Sequence, residues 1–172
     1  MSKIVSLVAS ICLTAFLAAC SVISKDIRSE ALSPMRFQTL LQHADEYSGK
    51  TVILGGYIID VQNRNAQTIM KVLQVPLRFG EEPDVNTKSQ GRFIVVYDGF
   101  LDPEIYAKNS AITVAGTISG TVMEDVGDQP ITYLNIQGRE VYLWPGYEKN
   151  PPYFRPYPYH WYWPGYWYYP YP

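Results

Sequence analysis

The 172-residue sequence predicts a mainly β domain, a small antiparallel barrel with one N-terminal helix. Three observations predict it. Apolar residues follow a helical period in one early segment only. From Lys50 onward the period changes to two and β-branched residues dominate. At Trp144 the composition breaks, so the part able to fold has single-domain size.

Residues 1–19 stand outside that fold. Lys3 gives a positive start, Ile4 to Leu17 is almost purely apolar, and small residues lead to a cysteine in Leu17-Ala18-Ala19-Cys20. This is the anatomy of a secretory signal peptide, too short and wrongly flanked for a transmembrane helix. The same four residues resemble the lipobox of bacterial lipoproteins. That resemblance implies Cys20 as the mature N-terminus, carrying a thioether-linked diacylglycerol and an N-acyl chain. Each buried methylene contributes about 0.8 kcal/mol, so three chains would anchor the protein essentially permanently. Ser21 stands where an Asp would favour retention in the inner membrane, and so the resemblance implies the outer membrane.

Residues 20–32 are mixed and polar and read as a lipidated tether. Ser33-Pro34 reads as an N-cap followed by proline at the first helical position. Phe37, Leu40, Leu41 and Ala44 then share one helical face, and Gly49 supplies a stop. A helix is predicted over Pro34 to Tyr47.

Strands follow at Thr51 to Val61, Gln67 to Val75, Arg92 to Tyr97, Ala111 to Val122 and Ile131 to Ile136. Glu140 to Trp144 continues the last or adds a sixth. Gly55-Gly56 inside the first strand predicts a bulge or sharp coil. Asn63-Arg64-Asn65 is a turn, Leu77 to Gln90 a loop, and Glu124 to Pro130 a hairpin loop. Asp102 and Pro103 can cap and open a short helical turn. Closing the sheet disposes of its edges. The predicted fold is therefore an OB-like barrel of five to six antiparallel strands over residues 33–144, the alternative being an open antiparallel sheet under the first helix. Residues 145–172 are nearly all Tyr, Trp, Pro and Gly. Proline forbids regular elements there, and a disordered or extended, polyproline-like tail is predicted.

The domain resembles the Slp family of bacterial outer-membrane lipoproteins. The resemblance rests on Gly49-Lys50-Thr51-Val52 with Gly55-Gly56, on Leu73-Gln74-Val75-Pro76-Leu77, and on Ser89-Gln90-Gly91-Arg92-Phe93. Leu101-Asp102-Pro103 with Tyr106, and Val114-Ala115-Gly116, complete it, from Cys20 to about Trp144. It implies an outer-membrane lipoprotein without established enzymatic activity, and supplies no catalytic residues.

The formal charge is −2, with no cluster of Lys and Arg of the kind that neutralises phosphates, and nucleic acid is not an expected partner. Cys12 leaves with the signal and Cys20 is acylated, so no thiol remains for a disulfide, a metal or a nucleophile. No catalytic residue, metal or cofactor is predicted. His43 lies on the polar side of the helix and His160 in the tail, neither in a nucleophile arrangement. Glu81, Glu82 and Asp84, and likewise Glu124, Asp125 and Asp128, lack ordered calcium-ligand spacing and read as solvated loops. Arg92 with Tyr97, or Asp102 with Tyr106, could line a pocket on the barrel, and a small molecule or lipid bound on the barrel face is the alternative function. The tail is the main binding candidate. Trp161, Trp163, Trp167, Tyr166 and Tyr168 offer amphipathic rings suited to a membrane interface. They also suit the sugars of peptidoglycan or lipopolysaccharide, or an envelope protein.

Overall fold

The computed structural model describes residues 21–146. Two short helices, α1 (Lys25–Glu30) and α2 (Phe37–Gln42), precede five strands. These are β1 (Thr51–Arg64), β2 (Gln67–Val75), β3 (Gly91–Asp98), β4 (Ala111–Val126) and β5 (Gln129–Leu143). They close a barrel in the order β1-β2-β3-β5-β4. That is the plan expected of an OB-like barrel.

Strand β1 closes the sheet. Through Thr51–Tyr57 it pairs with β4, and through Gly55–Arg64 with β2. A strand with two neighbours along its length must coil where the pairings overlap. The overlap contains Gly55-Gly56, but the bulge lies further on, between Ile58 and Asp60. The glycines serve a different need from the bulge that their pairing predicts. A Cβ on Gly56 would lie 2.3 Å from the Leu73 carbonyl oxygen, and one on Gly55 would lie 2.2 Å from Leu77 Cδ2. Close approach of backbone requires glycine at Gly56, whereas at Gly55 the neighbour is the movable tip of the Leu77 side chain.

The expectation of an all-antiparallel barrel is corrected at one seam. β3 and β5 pair in parallel, while the other four pairings are antiparallel. Parity demands this, because an odd number of strands cannot alternate direction around a closed ring. The sixth strand is absent. Residues 129–143 form one strand, which opposes Ala115 with Glu140 and Gly116 with Gly138, leaving Arg139 as an extra residue. A bulge absorbs the irregularity that reads as a strand break in the sequence.

Alternation sends Val52, Leu54, Ile58, Met70, Val72, Phe93, Val95, Ile112, Val114, Ile118, Leu134 and Ile136 into one cluster, all buried. The helix is shorter than its period predicts. Ala31 bridges Thr51 and Leu32 N–H donates to Thr51 O (2.9 Å), so the chain is extended beside the start of β1 before α2 can start. After Gln42 the chain continues as turns, with Glu46 N–H and Tyr47 N–H both donating to His43 O. Phe37, Leu40 and Ala44 join the barrel cluster, and Phe37 meets Phe93 at a centroid distance of 6.3 Å. α2 therefore plugs one end of the barrel.

The segment read as a tether contains α1. Ile23 and Ile27 are buried against Ala115, on the outer wall of β4, with Ile53 of β1 beside them. The short turn expected at Asp102 is one turn without a helix. Asp102 Oδ1 accepts from Glu104 N–H (2.9 Å), and Tyr106 N–H donates to Asp102 O (2.8 Å). Both tight hairpins use positive φ, at Asn65 (49°) and Ala66 (64°) in one and at Gly127 (63°) in the other. The hairpin between β4 and β5 is thus tighter than the loop expected over Glu124 to Pro130.

Gly56→Ala should destabilise the protein by about 3 kcal/mol, because the new methyl meets a ladder carbonyl that cannot yield. Urea denaturation checks it, and an unchanged midpoint would contradict the close-approach account.

Candidate functional site

Side chains fill the barrel interior, so any site must lie outside it. One such space is a cleft of about 750 Å³ bounded by α2, residues 31–36, the start of β1, and the chain leaving β2. That volume falls within the usual range for small-molecule pockets. Leu40, Val52, Leu54 and Leu77 supply apolar wall, while Arg36, Gln74 and Gln90 supply polar groups.

Gln74 is the unusual member. It follows Thr68, Met70 and Val72 on the inward face of β2 and is 5% exposed. Its Oε1 is buried and has no hydrogen-bond partner among the described residues. A buried carbonyl left without a donor costs about 1–3 kcal/mol. Gln74 belongs to a stretch that carries the family resemblance, yet its role was missed. The available signal was a polar residue at an inward position of an alternating strand. Gln90 is committed to structure, since its Oε1 accepts from Phe37 N–H (3.3 Å) and its carbonyl accepts from Gln38 Nε2 (2.6 Å). Arg36 is exposed and makes no ion pair among the described residues.

Glu81 corrects the reading of its cluster as a solvated loop. Its carboxylate pairs with Arg28 (2.8 Å), lies 3.1 Å from Ser21 Oγ, and accepts from Ile23 N–H (3.3 Å). Its carbonyl accepts from Thr113 Oγ1 (2.6 Å). One residue thus fastens α1, the start of the domain and the loop after β2 to the outer wall. Glu82 pairs with Arg78 (2.7 Å). Asp84 holds its own turn, and its carboxyl is lowered below its ordinary value by hydrogen bonds from Thr87 Oγ1 and then Asn86 N–H. In the second cluster Glu124 pairs with Lys71 (2.5 Å), another departure from a solvated loop, while Asp125 and Asp128 are exposed.

Arg92 donates to Tyr133 Oη (3.2 Å), and Tyr106 meets Asp102 through the backbone. His43 is exposed, with Nδ1 3.2 Å from Glu46 Oε1. No cluster of metal-ligating side chains occurs among the described residues. Cys20, His160, Trp161, Trp163, Tyr166, Trp167 and Tyr168 lie outside the described residues.

Fold and site together define a small five-stranded barrel with a filled interior and an external cleft. Comparison with known proteins supplies the family. The profile of the outer membrane lipoprotein Slp family matches residues 17–172, and the chain belongs to that family. Its location is accordingly the outer membrane, and membership in a lipoprotein family implies a signal peptide and acylation. The match runs on through the aromatic tail, past the Trp144 at which the residue-level resemblance stops. Outer membrane protein Slp of Escherichia coli K12 is 30% identical over 134 residues, 77% of this chain and 71% of that protein. The E. coli lipoprotein YeaY is 28% identical over 74% of this chain and 66% of its own length. Among solved structures, the mitochondrial single-stranded DNA binding protein Rim1 of S. cerevisiae aligns with a TM-score of 0.35 and 12% identity. The alignment covers 56% of this chain and 95% of that one, and so low a score carries no argument.

Two groups set an alkaline limit. The hydrogen bond to Glu124 raises Lys71 above its ordinary value, and burial raises the Tyr106 phenol. Each keeps its proton to higher pH in the folded chain than in the unfolded one. Their contribution is fully present below about pH 10 and is lost as pH rises through the folded values. The melting temperature of a Tyr106→Phe, Glu124→Gln double variant should fall less between about pH 9 and 11.5 than that of the parent. Equal falls would contradict the assignment. Gln74→Leu should be neutral or stabilising by about 1 kcal/mol in urea denaturation, since it removes a buried acceptor that lacks a donor. A loss of 2 kcal/mol or more, roughly the cost of breaking a satisfied buried bond, would show that Oε1 is satisfied.

Proposed function

We propose that this protein is a non-enzymatic lipoprotein anchored by acylated Cys20, with a structural or binding role in the cell envelope. The observation that carries this reading is the family match, which begins at residue 17 and so takes in Leu17-Ala18-Ala19-Cys20. The anchor needs only that cysteine and the envelope machinery that acylates it. The Tyr/Trp/Pro tail then serves contact rather than attachment, through Trp161, Trp163, Trp167, Tyr166 and Tyr168. Its partner would be the membrane interface, an envelope glycan or an envelope protein.

Fractionation with mass spectrometry of the N-terminal peptide tests the anchor. Triacylated Cys20 is expected in outer-membrane fractions, both for the full chain and for a version ending at Trp144. Cys20→Ala should move the protein out of the membrane fraction. An unmodified Cys20 in a soluble fraction would overturn the reading.

A second reading has a specific observation in its favour, the cleft with the buried Gln74 amide. It would take a small amphiphile, with the hydrocarbon against Leu40, Val52 and Leu54 and an acidic head near Arg36. A fluorescent fatty acid titrated into the protein should bind saturably, and Arg36→Gln should weaken it about tenfold, near 1.4 kcal/mol. Absence of saturable binding would remove this reading and leave the anchor untouched.

A further inference from the structure

A leash between lipid and domain would let the barrel tumble freely above the membrane. Residues 21–32 are not built as a leash. Ser21 and Ile23 are fastened to Glu81, Ser24 N–H donates to Glu140 Oε2 (2.9 Å), and Ile23 is 3% exposed. Residue 20 is one peptide unit beyond Ser21, about 3.8 Å from Cα to Cα. The described chain therefore starts beside Glu81, one residue after Cys20.

Two residues from Glu81, the same loop presents Phe79 at 97% exposure. The loop is a closed turn. Arg78 N–H donates to Glu82 O (2.8 Å), Glu81 N–H donates to Arg78 O (3.0 Å), and positive φ at Gly80 (81°) and Glu81 (66°) tightens it. Phe79 is thus a bare ring held at a fixed apex, near the point where the described chain starts. Arg28 and Arg78 on either side are neutralised by Glu81 and Glu82, so the surface there acts through the ring rather than through charge.

We propose that the barrel rests directly on the lipid surface, with Phe79 entering the bilayer interface beside the acyl chains of Cys20. This rests on the lipid attachment proposed above. The arrangement gives the molecule one orientation. The β2–β3 loop faces the membrane, and the opposite end, with Phe100, points away. Gly55 of β1 lies under Leu77 of that loop, and Asn63 Nδ2 donates to Leu101 O. The two contacts are eight residues apart along β1, which at 3.3 Å per residue is at most about 26 Å of strand.

The test uses the full, lipidated chain in phosphatidylethanolamine–phosphatidylglycerol vesicles. Cys12 and Cys20 are the only native cysteines. With the first removed in the signal and the second acylated, Phe79→Cys or Phe100→Cys offers a single thiol for a polarity-sensitive fluorophore. The expected result is a blue-shifted emission at position 79, quenched by spin-labelled lipid and insensitive to 1 M salt, with a water-like, unquenched signal at position 100. A probe at Val85, 42% exposed in the same loop, should be quenched less once Phe79→Ser is added, which separates the ring's contribution from the probe's. An unquenched position 79 in a sample whose N-terminal peptide carries acylated Cys20 would overturn the proposal and spare the anchor. So would equal quenching at 79 and 100. An unacylated Cys20 would overturn both.

Discussion

Everything in this domain depends on one strand changing partner along its length. β1 leaves its pairing with β4 and enters its pairing with β2 across Gly55–Tyr57. At Gly56 the β2 backbone comes within the space that a side chain would occupy. A Cβ there would strain the β1–β2 ladder at the point where the sheet closes. Once β1 makes the transfer, the rest follows. Five strands close, one pair must run parallel, and the inward side chains converge on a common axis.

Closure at five strands also decides where function can reside. The ring is narrow enough that Met70, Phe93, Ile112 and Leu134 fill it, and α2 seals an end with Phe37 and Leu40. The open space lies on the outside, where the chain between Leu32 and α2 borders a cleft beside β1. Glu81 organises that outer layer. A single carboxylate holds the N-terminal segment, α1 and the β2–β3 loop together, and the N-terminal segment and α1 pack in a small apolar cluster on Ala115 instead of the barrel core. The layer that would face the membrane is thus held by few contacts, whereas the barrel behind it is held by many.

The barrel was largely legible in the sequence because its signal is local. Alternation of Ile112, Val114, Gly116 and Ile118 marks a half-buried strand whatever its partners, and the strands were placed close to their observed positions. The helix was legible as a face but not as a length. Phe37, Leu40 and Ala44 do face the core, yet the pairing of Leu32 with Thr51 delays the helix and shortens it. The carboxylates were misread for a related reason. Glu81 looks like one member of an acidic loop, and only its proximity to Arg28 and Ser21, over 50 residues earlier, makes it a fastening. Gln74 was legible in principle as a polar residue in an inward position, but its missing donor is a property of the assembled site.

By itself the sequence determined the strand content and the family, and through the family it implied a signal peptide. Each is carried by short-range pattern or by order along the chain. Only the tertiary structure decided the parallel seam between β3 and β5, the bulge that keeps residues 129–143 one strand, and the docking of residues 21–32 on the outer wall. Those are properties of closure and long-range contact. A segment of Ser, Lys, Asp and Arg reads as a linker until a buried surface is found for Ile23 and Ile27, and that surface exists only after β1 and β4 have paired.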